Sequence, residues 1–428
     1  MEGKKPVKVA LLGLGTVGTG VYKLLNLRKD EMVYKIGTNV ELTKILVHQI
    51  DKPRAGIDQS ILTNQWKDII EDEEIDIVIE VMGGIEPAKT YILEALNSGK
   101  NVVTANKDLI AEYGKELLDA AQNNGVDFLF EASVAGGIPI IRPLKQCLAG
   151  NEITEVVGIV NGTTNYILTK MAEEKMDFKD ALEKATELGY AELDPTADIE
   201  GLDAGRKVAI MASIAFHSRV VFGDVYTEGI TKITARDMEY AKEFGCVIKL
   251  LGVARDSKEG MEMAVYPMLI GKEHPLASVR DSFNAVFVHG DAVGDTMYYG
   301  RGAGELPTAS AIVGDVIDVA RDLEYNCNGR ISCSCYMNKK IKEIGEIENK
   351  NYLRMQVEDH PGVLSNVASI LARYQVSIDK VTQKRHCEGE AEIVIITDRV
   401  REKDFQKAIQ ELEGISIIRK VSSVIRVF

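Results

Sequence analysis

Apolar positions in the first third of the chain come in short runs separated by stretches with helical spacing. Val7 to Leu12 is one such run, ending at a glycine, and a helix pattern follows from Thr16. Leu42 to Val47 reads as the next strand. Ile75 to Val81 (IDIVIEV) is β-branched and nearly all apolar, as in a strand buried on both faces. Pro87 opens a helix over Ala88 to Asn97 that stops at Gly99, proline inside the start and glycine past the end. Asn101 to Thr104 and Val126 to Phe130 supply two more strands, with a helix between them. This alternation predicts a parallel, doubly wound α/β domain.

From about residue 136 to 325 the spacing becomes more open and mixed. Strands are predicted at Glu155 to Val160, Val247 to Ala254, Met261 to Leu269 and Ala285 to Val288. Helices fall near Phe178 to Leu188, Leu202 to Phe216, Ala235 to Phe244 and Thr308 to Ala320. The pattern describes a second, α+β domain. Residues 324 to 350 are polar and irregular and read as a linker. The tail then gives strand Tyr352 to Val357, helix Gly362 to Tyr374, strand Val376 to Lys384 and a hairpin turn at Glu388-Gly389. Strand Ile393 to Thr397, helix Glu402 to Leu412 and a strand-like stretch from Ile415 to Val427 complete it. That order, βαββαβ, is the ferredoxin-like split-βαβ plan.

The 428 residues exceed what one hydrophobic core supports, in keeping with two or three domains. A net charge of -14, with no dense basic block, argues against nucleic acid or an anionic membrane as partner. The longest apolar helical run, Val208 to Phe216, is far short of the roughly 20 residues that a membrane span needs. Six cysteines are too few for a disulfide scaffold, and the polar start shows no signal peptide. A cytoplasmic chain with reduced thiols is expected. Cys327, Cys333 and Cys335 lack the paired spacing of a zinc site.

Candidate chemistry begins at Gly13-Leu14-Gly15-Thr16-Val17-Gly18, a G-x-G-x-x-G string between the first strand and the first helix. In that context it is a dinucleotide fingerprint: Gly13 turns tightly, Gly15 admits the pyrophosphate and Gly18 lets helix and strand pack closely. The helix N-terminus, from Thr16 and Val17, favours the anion. At the end of the second strand an acidic residue would select NAD and a basic one NADP. The chain offers His48-Gln49-Ile50-Asp51-Lys52-Pro53-Arg54, so Lys52 and Arg54 tilt the reading towards NADP, although both also suit a solvated loop.

Hydride transfer to or from an alcohol carbon needs a group that moves the hydroxyl proton, and lysine can do so. Lys107 follows the strand ending at Thr104, at the carboxyl edge where parallel sheets bind ligands. Lys207 lies four residues after Asp203, on the same helix face, a spacing that also suits a plain ion pair. That helix is otherwise apolar on nearly every side, so charges on its first turns need a partner or a cleft. The loop Gly189 to Asp198 carries Glu192, Asp194 and Asp198, acids suited to a substrate amine or simply solvated. Asn161-Gly162-Thr163-Thr164-Asn165 follows a strand and starts a helix, and offers a place for a substrate carboxylate; N-capping by Asn or Thr explains these residues almost as well.

Taken together, the strings GLGTVGTG, TANKDLIAEYG, EASVAGGIPII, GIVNGTTNYIL, GYAELDPTADIEGLDAGRK and GAGELPTASAIVGD resemble the homoserine dehydrogenases over essentially the whole chain. The resemblance implies interconversion of L-homoserine and L-aspartate 4-semialdehyde with NAD or NADP, on the route to threonine, methionine and isoleucine. It implies that Lys107 and Lys207 handle the reacting oxygen and its proton, Lys207 as the main acid/base. Glu192 and Asp203, supported by Asp198, would hold the substrate's polar groups, with Glu192 on the amine. Thr104, Asn106, Gly304 and Glu305 would line the nicotinamide end. It further implies a monovalent cation, sodium, on the Glu131 carboxylate and the carbonyls of Val134, Gly136 and Ile138. Many relatives have arginine where this chain has His48, which bears on the cofactor preference.

The tail resembles an ACT domain through Asp359-His360-Pro361-Gly362-Val363-Leu364, implying an amino-acid effector, L-threonine, and a homodimer or homotetramer. The expected domains are then 1–135 for the dinucleotide, Rossmann-type and completed by a return helix near 308–323; 136–307 for substrate and dimerisation; and 351–428 for regulation. A rival enzyme, aspartate-semialdehyde dehydrogenase, needs a nucleophilic cysteine with a histidine partner, and no cysteine here has that context. The alternative from another class is a non-catalytic sensor of dinucleotide and amino acid.

Overall fold

The computed structural model describes residues 5–331, 333–387 and 389–428, with the backbone alone for 385–387. The chain divides into two compact units. One holds residues 1–156, 209–223 and 284–338; the other holds 157–208, 224–283 and 339–428.

In the first unit β1 (Val7–Leu12), α1 (Thr16–Leu27), α2 (Lys29–Ile36) and β2 (Val40–Leu46) are followed by β3 (Leu62–Thr63), α3 (Lys67–Ile70) and β4 (Ile77–Glu80). α4 (Ala88–Asn97), β5 (Asn101–Thr104), α5 (Lys107–Asn124) and β6 (Phe128–Leu129) continue the alternation. All six strands run parallel in the order β3-β2-β1-β4-β5-β6, the doubly wound order with its switch point between β1 and β4. β4 and β5 are buried at every position, as strands covered on both faces must be. Ligands of such sheets bind outside the carboxyl ends of the strands, which fixes where to look.

Next come β7 (Ile153–Ile159), α6 (Gly162–Glu173), α7 (Phe178–Glu187), α8 (Thr196–Ile199) and α9 (Leu202–Ala215). β8 (Tyr226–Thr227), α10 (Ala235–Glu243) and the long hairpin of β9 (Cys246–Ser257) and β10 (Gly260–Gly271) follow. β11 (Phe283–Gly290) and β12 (Gly294–Arg301) lead to α11 (Glu305–Glu324). Ala309, Ile312, Val316 and Val319 of α11 share a core with Val21 and Leu25 of α1 and with β1.

The tail is β13 (Glu348–Glu358), α12 (Val363–Arg373), β14 (Ile378–Cys387), β15 (Glu390–Thr397), β16 (Val400–Arg401), α13 (Glu402–Glu413) and β17 (Ile418–Val427). Val367 and Leu371 of α12 and Phe405 and Leu412 of α13 pack with Leu353, Met355 and Ile393 of the sheet. The tail sheet runs β17-β13-β15-β14, and β17 also pairs in parallel with β10, so within the second unit one sheet passes from the β9–β10 hairpin into the tail. A buried guanidinium clamps the same junction: Arg354 of β13 donates to Asp237 of α10 at 2.8 Å and to Glu392 of β15 at 3.0 Å.

Three expectations change. β12 was not foreseen: its residues alternate half-buried and exposed without an apolar face, so only pairing with β11 makes it a strand. α11 begins at Glu305, before Thr308, because Pro307 falls in the first turn, where its missing N–H costs nothing. The segment read as a linker is tied down in part: Lys340 accepts from the Met261 N–H and Lys342 donates to the Met261 carbonyl. Of the predicted hairpin turn, Glu388 lies outside the described residues; Gly389 has φ +81°. No helix among the described residues is long and apolar enough to cross a membrane.

Candidate active site

The glycine string forms a tight turn from β1 into α1. Gly13 has φ +100°, and a Cβ there would stand 3.0 Å from the Val81 carbonyl oxygen. A Cβ on Gly18 would lie 2.2 Å from the Gly13 carbonyl oxygen, so helix and turn meet as backbone on backbone. Gly15 caps α1 with no side-chain hydrogen bond and faces open space. The first-turn N–H groups from Thr16 and Val17 start α1 beside this turn, an arrangement that fits a dinucleotide pyrophosphate.

Beyond β2 lies an open hollow of about 680 Å³ lined by His48, Gln49, Ile50, Asp51, Lys52 and Asn64. Arg54 does not face it as a spare cation. Its guanidinium donates to the carbonyls of Lys52 and Gln49, both at 2.9 Å, and braces the loop. Lys52 is the exposed cation on the hollow.

At the carboxyl edge of β4 and β5 a network sits that the sequence reading overlooked in part. Glu80 ends β4 fully buried, and burial raises its carboxyl pKa. It accepts from the Thr104 hydroxyl at 2.6 Å and from the Met82 N–H at 2.7 Å. Thr104 in turn accepts from the Asn106 N–H at 3.0 Å. Asn106 donates to the Gly84 carbonyl at 2.7 Å and caps α5 by accepting from the Leu109 N–H at 3.2 Å. Lys107, half-buried, is the first residue of α5. The signal for Glu80 was present in the sequence: an acid near the carboxyl end of the otherwise largely apolar strand IDIVIEV.

Gly304 caps α11 with φ +122°, and Glu305 reaches Lys23 of α1 at 2.6 Å. Glu131 is 5% exposed. Its carboxylate accepts from the N–H groups of Ile140, Ile141 and Arg142 at 2.6, 2.8 and 2.7 Å. Three of the roughly four acceptor sites of this carboxylate are thus taken by the turn that opens the helical segment Pro143–Cys147, which makes it a poorer cation ligand than expected. Val134 and Ile138 are buried, and Gly136, at φ +51°, packs so tightly on Gly302 that a Cβ would sit 2.4 Å from the Gly302 carbonyl.

The second unit holds the other cluster. Asn161, which ends the loop after β7, caps α6 through the Thr164 N–H at 2.9 Å. Its amide donates to Asp198 at 2.6 Å and to Asp203 at 2.8 Å. Asp203 also accepts from the Lys207 ammonium at 2.7 Å, and Lys207 donates to the Val160 carbonyl at 2.7 Å. Lys207 and Asp203 side chains are 11% and 9% exposed, so the i,i+4 pair is no surface decoration. Burial raises the Asp198 carboxyl pKa, Asn161 opposes the shift, and the Asp203 charge adds to it. Gly162 opens α6, and Thr163 donates to the Tyr190 carbonyl at 2.7 Å, tying the acidic loop to the start of the helix. Glu192 stands exposed on that loop, outside the hydrogen-bonded group. The N-cap role of Asn161 was weighed from sequence, but its bonds to Asp198 and Asp203 were not.

A model of the homoserine dehydrogenase NAD-binding domain matches residues 13–131, one of homoserine dehydrogenase itself matches 139–317, and an ACT model matches 351–416. The homoserine dehydrogenase of Bacillus subtilis (strain 168) is 44% identical over 427 residues, covering 99% of this chain and 98% of its own. The chain belongs to the homoserine dehydrogenase family. It is an NAD(P)-dependent oxidoreductase with a C-terminal ACT domain. A homoserine dehydrogenase structure from Thiobacillus denitrificans superposes with TM-score 0.95 at 42% identity, covering 99% of this chain and 98% of that one. A hyperthermophilic archaeal homoserine dehydrogenase mutant in complex with NADPH matches at TM-score 0.62 and 26% identity, over 74% of this chain and 98% of that one.

Proposed function

We propose that the protein interconverts L-homoserine and L-aspartate 4-semialdehyde, in the biosynthesis of threonine, methionine and isoleucine. A bound nicotinamide dinucleotide supplies or takes the hydride. The chain's own residues handle the proton. Lys207 carries the reading: its ammonium is buried, fixed by Asp203 and the Val160 carbonyl, and has two of its three donors engaged. The third serves the substrate oxygen. In aldehyde reduction Lys207 gives that oxygen a proton; in alcohol oxidation its neutral amine removes one. Lys107, at the carboxyl edge of the parallel sheet, shares the handling of the same oxygen. Glu192 takes the substrate ammonium, with Asp198 and Asp203 in support, and the α6 start at Gly162 and Thr163 receives the carboxylate. Thr104, Asn106, Gly304 and Glu305 line the nicotinamide end.

NADP is the favoured cofactor, on Lys52 at the hollow beyond β2; the archaeal relative holds NADPH. A sodium site is proposed only on the Val134, Gly136 and Ile138 carbonyls. L-Threonine binds the ACT domain at Asp359 to Leu364 and inhibits, in a cytoplasmic homodimer or homotetramer.

Homoserine-dependent reduction of NAD and of NADP, followed at high pH with and without L-threonine, tests these points. Faster initial rates with NADP and inhibition by threonine are expected. Absence of any homoserine-dependent reduction would leave the non-catalytic sensor in its place, and threonine without effect on rate or melting would remove the regulatory reading.

A further inference from the structure

Cys333 and Cys335 lie in the segment that follows α11 and take no part in the proposed reaction. Both are half-buried free thiols. The Cys333 sulfur accepts hydrogen bonds from the Cys335 thiol and from the Cys335 N–H. Cys335 has a further acceptor in the Ser213 carbonyl of α9, at 3.5 Å. The Tyr336 N–H donates to the Ser334 carbonyl at 3.1 Å and the Met337 N–H to the His217 carbonyl at 2.7 Å, so this segment is held against the end of α9. Residues two apart along a chain span at most about 7 Å between Cα atoms, and disulfides form at about 4.4–6.8 Å. Two sulfurs already in hydrogen-bond contact therefore need little backbone movement to join.

The surroundings divide the pair into a nucleophile and its partner. The hydrogen bonds from Cys335, and the Lys145 ammonium after them, lower the Cys333 thiol pKa against burial and the Asp119 charge. Asp119 is itself paired with Lys115. The proton that the pair retains stays on Cys335, whose pKa is raised by the same hydrogen bond and by burial, with Arg219 and Lys145 opposing. Cys246 and Cys327 differ: burial raises both thiols, and a hydrogen bond to Asp322 raises Cys327 further. The thiolate, not the thiol, attacks electrophiles, and a partly exposed one beside a cation is the reactive kind.

We infer that Cys333 and Cys335 form a peroxide-reactive dithiol that closes reversibly to a disulfide within one chain. The Cys333 thiolate attacks one oxygen of hydrogen peroxide, the O–O bond breaks and hydroxide leaves, so that Cys333 becomes a sulfenic acid. The hydroxide regains the proton that Cys333 had shed. The Cys335 sulfur then attacks the Cys333 sulfur, the S–O bond breaks, and the oxygen departs as water with the Cys335 proton. In total two thiols and one peroxide give one disulfide and two waters. A bond across so short a loop is strained and readily reduced by a small thiol, as redox-sensing disulfides are. Closure also takes the Cys335 S–H from the Ser213 carbonyl of α9.

The test uses the full-length protein, reduced and freed of reductant, treated with equimolar hydrogen peroxide, alkylated with iodoacetamide and cut with trypsin. Cleavage after Arg330 and Lys339 releases both cysteines on one peptide, Ile331 to Lys339. That peptide is expected to be unalkylated and lighter by two hydrogens, and to be alkylated at both cysteines when dithiothreitol precedes iodoacetamide. Cys335→Ser should stop at a Cys333 sulfenic acid, trapped by dimedone. A synthetic peptide of the same residues, lacking Lys145 and Ser213, should oxidise about tenfold more slowly because its thiolate fraction is smaller. Lys145→Met should slow the folded protein in the same direction, by about threefold. Recovery of the doubly alkylated peptide after peroxide would overturn the proposal. So would a disulfide from Cys333 or Cys335 to any other cysteine, or a synthetic peptide that oxidises as fast as the folded protein.

Discussion

The carboxylates of Glu131 and Asp203 are buried to nearly the same degree, at 5% and 6% exposure. Glu131 is surrounded by three backbone N–H groups of a single turn, Asp203 by the side chains of Asn161 and Lys207. Backbone donors in a turn cannot leave without unfolding it, so Glu131 is committed to structure. Side-chain donors can be shared with, or exchanged for, the groups of a substrate. Burial of an acid therefore does not mark a site; the mobility of its donors does.

Substitutions can break or sharpen that contrast, and the largest effect is expected at Lys207. Lys207→Met should lower kcat/KM for homoserine by about 10²–10⁴-fold, the usual weight of one acid/base group, while cofactor affinity measured by fluorescence stays as it was. Near-normal turnover would show that Asp203 and Lys207 are a structural pair after all. Glu131→Gln comes next, and its cost should appear in stability. Loss of the charged acceptor should lower the unfolding free energy by about 2–4 kcal/mol in urea titrations, with an unchanged response of the rate to sodium or potassium. A variant that kept its stability and lost a sodium response would return Glu131 to the cation.

Asp198→Asn should have a smaller effect. Because burial raises the Asp198 pKa, the native carboxyl gains its proton on acidification earlier than an ordinary aspartate would. The acid limb of kcat/KM should reflect that step. The amide, already neutral, should lose that limb and run about tenfold lower on the plateau, as for one weakened hydrogen bond; a pH–rate profile that keeps the native limb would clear Asp198 of the role.

The smallest effect is expected at Lys249, a buried lysine beneath α6 that donates to Asn165 at 2.9 Å. Burial lowers its pKa to about 8. Below that value the lysine is charged both folded and unfolded, and the fold bears the full burial cost. Between pH about 8 and the ordinary lysine range the folded state sheds its proton first, so this group makes the protein more stable as pH rises. Lys249→Met should flatten that rise in urea midpoints taken across the interval, and an unaltered slope would assign the rise to other groups.

Legibility in the sequence followed the range of the interaction. The helix over Ala88–Asn97 and the strand over Asn101–Thr104 were read with their observed bounds, because both are set by local apolar spacing and by a proline or glycine at an end. β12 escaped because nothing in GDTMYYGR prefers a strand until β11 offers its edge. In the site, Lys207 and Asp203 could be paired from their spacing of four. Asn161 could not be joined to Asp198 and Asp203, which lie 37 and 42 residues away. Arg54 was assigned a ligand for its charge and Glu131 from the family resemblance, and each meets backbone partners in the fold.

By itself, then, the sequence determined what depends on neighbours along the chain: the glycine turn that cradles a pyrophosphate, the alternation that makes a parallel sheet, and the βαββαβ order of the tail. Backbone sterics and periodicity act over a few residues, and a string of letters carries them whole. Only the tertiary structure decided which buried carboxylates meet backbone donors and which meet side chains, as Glu131 and Asp203 do. A hydrogen bond between distant residues depends on where the whole chain sets two atoms within about 3 Å of each other, and no local pattern encodes that distance.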